Sequence, residues 1–223
     1  AQPEAPMSHE GLPPPPEPCL MGACSSSGQK GVTLIAEDVR DRAEHERRIC
    51  NPDGYRPAAC PRCDHDKLHV HQYRERTLRA EAAAGPERGS WLITIVCHRC
   101  ASAACGATWR ILPAFVARQL WRSWGVVERW TLGPAPPPGA PLVPPRTVGR
   151  WRDRLASAAR YLLAVLATSG GVALQPVVHA VGLDGTREEL VLAYGRLIGV
   201  PAGGSLAALA ALVHRLVPGV RLM

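Results

Sequence analysis

Phenylalanine occurs once in 223 residues, and aromatic residues make up only 5% of the chain. Little material exists for one large aromatic core. Proline (22) and glycine (21) together form about a fifth of the chain, which points to small modules joined by linkers. Carboxylates become scarce along the sequence: after Glu128 only Asp153, Asp184, Glu188 and Glu189 remain. A nuclease that holds two metal ions needs three spaced carboxylates on one scaffold, so no catalytic residues are assigned and the chain is not read as an enzyme. No basic segment followed by an apolar run opens the chain, so no secretory signal is visible. Long hydrophobic runs are also few. Residues 161–183 lack charge for 23 positions, long enough to span a bilayer, but Thr168, Ser169, Gly170, Gly171, Gln175 and Pro176 interrupt the run. No membrane partner is expected. The chain reads as cytoplasmic, where eight cysteines are more often reduced or metal-bound than paired in disulfides.

What is present in excess is positive charge, unevenly placed. The net charge is +7, yet residues 55–160 alone hold 17 Lys/Arg against 7 Asp/Glu. Most are arginines, whose forked guanidinium suits phosphate and guanine. The expected partner is a polyanion, DNA or RNA; with DNA as the partner the expected location is nucleoid-associated.

The chain divides into four stretches. Residues 1–31 contain "GLPPPPEP" and "GACSSSGQKG", which cannot bury a core, and read as a disordered N-terminal extension. A folded pattern begins only near Val32, so the native start is expected near Met21 or Val32. Residues 32–112 read as a short charged helix over 34–50 plus a β module. Its strands are expected at 67–76, where apolar and polar residues alternate, and at 91–96, "WLITIV". Residues 113–168 read as helical, with one helix over 113–131 and a second over 146–168, separated by a proline linker at 133–145. Residues 169–223 read as a helical tail. In it Thr186-x-x-Glu189 is a capping box, and Ser205 is expected to cap the last helix. The fold class is therefore α+β.

Two cysteine clusters carry the strongest chemical signal. The first is Cys60-Pro-Arg-Cys63. The second offers Cys97, Cys100 and Cys105. Four thiolates at the spacing of two knuckles form a tetrahedral zinc site. Each knuckle turns sharply, and the residue after its second cysteine must tolerate positive φ. Gly106 does so after Cys105, and Asp64 does so after Cys63. The expected ligands of a structural zinc ion are therefore Cys60, Cys63, Cys100 and Cys105. The alternative set replaces Cys105 with Cys97, leaving Ala101 after the last ligand. A redox pair is disfavoured because no βαβ pattern surrounds the first motif.

The stretches "YRPAACPRCDHDKLHVHQYRER", "CGATWRILPAFVARQLWRSW" and "PPRTVGRWRDRL" resemble bacterial insertion-sequence and transposase-associated proteins with an N-terminal zinc ribbon and a helix-turn-helix region. The resemblance covers roughly residues 50–160. It implies a small zinc-ribbon β module followed by a helix-turn-helix-like region, in a DNA-binding protein of a mobile element that lacks a nuclease domain. It also implies a homo-oligomer or a separate transposase subunit as a further partner. The helix beginning at Arg146 would match the base-reading helix.

That helix carries Arg146, Thr147, Arg150 and Arg154 on one polar face, while Trp151 and Leu155 face the body. Arg118 and Arg122, at i and i+4, are expected to touch phosphate. A zinc-stabilised protein-interaction adaptor is the alternative, with the Ala/Leu-rich tail as its docking surface.

Overall fold

The computed structural model of the chain describes residues 32–79, 90–118, 120–134, 143–200, 204–218 and 220–223. The expected extension over 1–31, its start site and the greater part of the linker 133–145 lie outside the described residues.

Four strands form one sheet in the order β1-β4-β3-β2. They are β1 (Val32–Ala36), β2 (Leu68–Leu78), β3 (Trp91–Cys100) and β4 (Thr108–Pro113). β2 and β4 flank β3 antiparallel, and β1 adds to β4 in parallel. The two expected strands are present. Both run further than the alternation suggested, because the ladder continues to the pairs Leu68–Cys100 and Leu78–Trp91.

Seven α-helices are found among the described residues: α1 (Arg42–Ile49), α2 (Trp124–Thr131), α3 (Pro145–Ala156), α4 (Arg160–Ser169), α5 (Gln175–Val181), α6 (Arg187–Ile198) and α7 (Ser205–Leu216). The chain is thus α+β. No helix is long and apolar enough to cross a membrane among the described residues, and the charge-free run at 161–183 is broken into α4, a 3-10 turn and α5.

Three expected helices are corrected. The one at 34–50 begins only at Arg42, where the Asp41 carboxylate accepts from the Glu44 N–H at 2.8 Å. The residues before it form β1, because their partner, β4, lies far along the chain. The helix at 113–131 shrinks to α2. Pro113 closes β4 instead of opening a helix, and the described residues 114–118 and 120–123 are not helical, with Trp124 N–H donating to Phe115 C=O at 2.8 Å. Ser123 then caps α2, accepting from the Val126 N–H at 3.3 Å. Val116, Trp124 and Val127, three apolar residues of the expected helix, are all buried, but from a loop and α2 and not along one helix face. The helix at 146–168 breaks at Ser157. There Ala159 N–H donates to Gly185 C=O at 2.9 Å, and Arg187 N–H donates to Ser157 C=O at 3.0 Å.

The capping box at Thr186 and Glu189 is present in both directions. Ser205 does not cap α7. Gly204 occupies that place, and the buried carboxylate of Glu128 on α2 accepts the Leu206 N–H at 3.0 Å. A carboxylate at a helix N-terminus satisfies an orphan donor and complements the helix dipole.

One buried cluster lies on the sheet and includes Tyr55, Leu68, Val96, Ile111 and Phe115. A second, among the helices, includes Trp124, Trp151, Leu162, Leu190 and Leu209. α7 touches both. His214 Nε2–H donates to the Thr33 carbonyl of β1 at 2.7 Å, and Arg215 pairs with Glu37 at 2.9 Å.

Candidate metal centre and nucleic-acid interface

Both cysteine clusters sit at ends of the sheet where the chain must reverse. In the first knuckle the N–H groups of Cys63 and Asp64 donate to the Cys60 carbonyl at 3.2 and 2.8 Å. In the second, the N–H groups of Cys105 and Gly106 donate to the Ser102 carbonyl at 3.1 and 2.9 Å. Each turn ends in a left-handed residue: Asp64 has φ +54° and Gly106 φ +53°. Asp64 is the one non-glycine residue with positive φ among those described. The conformation costs free energy outside glycine, asparagine and aspartate, so both positions carry the residue types the turns require. Each knuckle is also closed at its base, by Cys60 N–H to His65 C=O and Cys100 N–H to Ala107 C=O, both at 2.9 Å.

These turns bring Cys60, Cys63, Cys100 and Cys105 together, with all four sulfurs within 4.8 Å of one another. Cys60 and Cys105 are 3.8 Å apart, and Cys63 and Cys100 3.6 Å. A tetrahedral ion bound by sulfur at about 2.3 Å requires S···S spacings of roughly 3.8 Å. The arrangement fits a four-thiolate metal site. Cys97 is not part of it. Alternation along β3 places Cys97 on the other face of the sheet, opposite Gln72 and Arg110.

The four thiols perturb one another. Burial alone would raise Cys60, but the N–H groups of Arg62 and Cys63 and the Trp109 indole outweigh it and bring that thiol down to about 6. At Cys63 the His65 N–H favours the thiolate, yet desolvation and the three other sulfurs outweigh it and push the thiol up to about 12. Four thiolates so close repel unless a cation lies between them. The indole N–H of Trp109 is buried without an oxygen or nitrogen partner, beside Cys60. Such a donor supports a metal-bound thiolate from outside the ligand set.

The nearby histidines stay outside the sulfur group. His65 lies 3.8 Å from Asp66, and His69 and His71 are exposed on β2. His98, which the sequence reading did not single out, is fully buried on β3, with neither ring nitrogen bonded. Burial, and then the charge of Arg56, hold it below the usual imidazole range, in the neutral form.

On α3 the guanidinium-bearing residues Arg146, Arg150 and Arg154 are exposed and Thr147 is half-buried, while Val148, Trp151 and Leu155 face the core. The polar face expected from the sequence is therefore presented outward. The helix N-terminus offers less than expected. Pro145 has no N–H, and Thr147 N–H is spent on the Pro144 carbonyl at 2.8 Å. Of the first-turn amides, at most that of Arg146 is left for phosphate. Arg118 and Arg122 do not share a helix face. Arg118 donates to His214 Nδ1 at 3.2 Å, and Arg122 donates to the Arg79 carbonyl at 3.2 Å, with its guanidinium 5.8 Å from the Trp151 ring centre. Both serve packing. The tryptophans also mostly pack: Trp109, Trp124 and Trp151 are buried, whereas Trp121 is exposed beneath the Arg79 guanidinium. No family model matches the chain, and neither a curated protein nor a solved structure matches it.

Proposed function

We propose that the four cysteines hold a structural zinc ion in a ribbon-like module, and that the chain is a DNA-binding protein without catalysis of its own. The observation that carries this reading is the convergence of Cys60, Cys63, Cys100 and Cys105 at tetrahedral sulfur spacing. Zinc is favoured because four thiolates at this geometry are its usual structural set and leave no position for water. Arg146, Arg150 and Arg154, exposed on α3 above the buried Trp151 and Leu155, support base reading from that helix. α3 packs on α2 and α6, and residues 132–144 between α2 and α3 exceed the usual helix-turn-helix turn of about 3–4 residues. The recognition helix is thus held by the helical core and not by a tight turn. The resemblance of the quoted motifs supports reading the protein as a transposase-associated factor of a mobile element.

The test is fluorescence anisotropy of the zinc-loaded chain on duplex DNA, titrated with salt. Binding that weakens steeply with salt, by a log–log slope near −0.9 per phosphate contact, is expected. No binding at low salt by folded, zinc-loaded protein would transfer the assignment to a zinc-stabilised adaptor. That second reading is favoured by exposed apolar side chains in the tail, Val172 at 87% and Leu183 at 78% exposure.

A further inference from the structure

A second concentration of positive charge among the described residues lies on the sheet and not on α3. One face of the sheet carries His69 and Arg74 of β2, Arg99 of β3 and Arg110 of β4. His69 stands opposite Arg99, and Arg110 stands opposite Cys97, whose other neighbour is Gln72. Directly opposed residues have Cβ atoms about 5 Å apart, so the three arginines form one cluster with His69 beside them. Arg74 and Arg110 both lie close enough to Cys97 to counter the upward push of burial on its thiol. Arg110 Nε is buried without a partner.

The cluster continues off the sheet. Arg118, held below its usual range by burial first, also feels the charges of Arg221 and Arg110. The Leu222 carbonyl, one residue on, accepts from Arg187 at 2.8 Å. Arg187 is held below its usual range by burial and then by the neighbouring Arg154 of α3. Cationic side chains therefore step from β2 across the sheet, over the C-terminal residues, to the polar face of α3. Ion pairs among the described residues engage Arg42, Arg47, Arg48, Arg56, Arg160 and Arg215, none of which belongs to this row. Like charges gathered without a carboxylate among the described residues repel one another, and a polyanionic ligand would supply the counter-charge. β2, the outer strand, bulges between Val70 and Gln72, which blunts it as a template for a further strand and leaves the face, not the edge, as the binding surface.

We propose that this row is a phosphate track: the sheet face around Arg74, Arg99 and Arg110 binds the backbone of duplex DNA continuous with the segment read by α3. The proposal rests on the DNA-binding reading above but assigns the main electrostatic contact to different residues. The test uses the full zinc-loaded chain and a fluorescent duplex of unrelated sequence, with salt varied from 0.05 to 0.2 M. Arg74→Gln/Arg99→Gln is compared with Arg150→Gln/Arg154→Gln. Two lost contacts should make the sheet variant's salt slope shallower by about 1.8, or weaken binding ~60-fold at 0.1 M for equal affinity at 1 M. An unchanged slope in the sheet variant, with weakened binding in the α3 variant, would overturn the track and leave the DNA-binding reading intact. Weakening in the sheet variant alone upholds the track and removes α3 as a DNA contact. No binding by the parent chain overturns both. Tighter binding to single-stranded DNA of equal length overturns the duplex assignment. Circular dichroism and zinc content confirm folding. Should the double variant misfold, exposed Arg221→Gln, expected to reduce the slope by about 0.9, takes its place, and an unchanged slope in it overturns the track.

Discussion

Asp64 and Gly106 hold the same left-handed backbone, at φ +54° and +53°, but only glycine does so without a steric penalty. Asp64→Gly should therefore keep the metal site intact, whereas Asp64→Val should weaken zinc retention by roughly 1–3 kcal/mol through local strain. Competition with a chromophoric chelator reads both. Equal retention in the two variants would mean that the turn is not strained. The cysteines give a second contrast at this scale. Cys105→Ser should lose zinc, because its sulfur lies 3.8 Å from Cys60. Cys97→Ser should keep it, because Cys97 sits across the sheet among Gln72 and Arg110. The opposite result would restore the alternative ligand set.

Among the elements, α7 depends most on a distant residue. Its sequence supplies Ser205 near the start, and a local reading places the cap there. Ser205 is instead buried, and the first turn is capped by Glu128 from α2, whose side chain is 6% exposed. Close packing explains the displacement. Gly195 of α6 comes so near α7 that a Cβ on it would lie 2.2 Å from Ser205 Oγ, so the Ser205 side chain fills the α6–α7 contact and is not free to cap. Glu128→Ala should then cost about 1–3 kcal/mol, the range for leaving a buried donor unsatisfied, seen as a lower midpoint in urea. A shift within error would mean that water replaces the carboxylate. α2 itself shows a signal that was legible and missed: Ser123 stands directly before the first helical residue, where N-caps belong, yet the expected helix starts at residue 113, eleven residues too early.

For the whole molecule, the sheet and the helices are joined through buried histidines, and this sets a pH dependence. His45 Nδ1 lies 2.6 Å from the Tyr55 hydroxyl, beside Phe115, with the charge of Glu46 partly offsetting the effect of burial. His214 bridges Arg118 and the Thr33 carbonyl, with Glu37 also acting on it. Burial lowers both from the ordinary value near 6.5. Protons then bind the unfolded chain more readily than the folded one. The stabilisation is complete above about pH 6.5 and declines as the pH falls toward the folded-state values. Urea midpoints under saturating zinc should drop between pH 7.5 and 5.5, and His214→Gln should reduce that drop. A drop of equal size in the variant would assign it to loss of zinc from protonated thiols.

The sequence by itself determined what is local. Two cysteine spacings, with Asp64 and Gly106 after them, specify the knuckle turns, because a turn's φ requirement is met within a few residues. Thr186 and Glu189 specify the start of α6 for the same reason, and the alternation in β2 and β3 reports a pleat with period two. Only the tertiary structure decided what depends on partners far along the chain. β1 needs β4 beside it, so residues 32–36 could pass for the beginning of a helix. Whether Cys97 or Cys105 joins the sulfurs follows from the face of β3 that Cys97 occupies and from the turn after β3 that brings Cys105 to the other three. The row from Arg99 to Arg154 exists because β-pairing and the return of residues 220–223 gather arginines that are scattered in sequence, and charge counting reports their number but not their assembly.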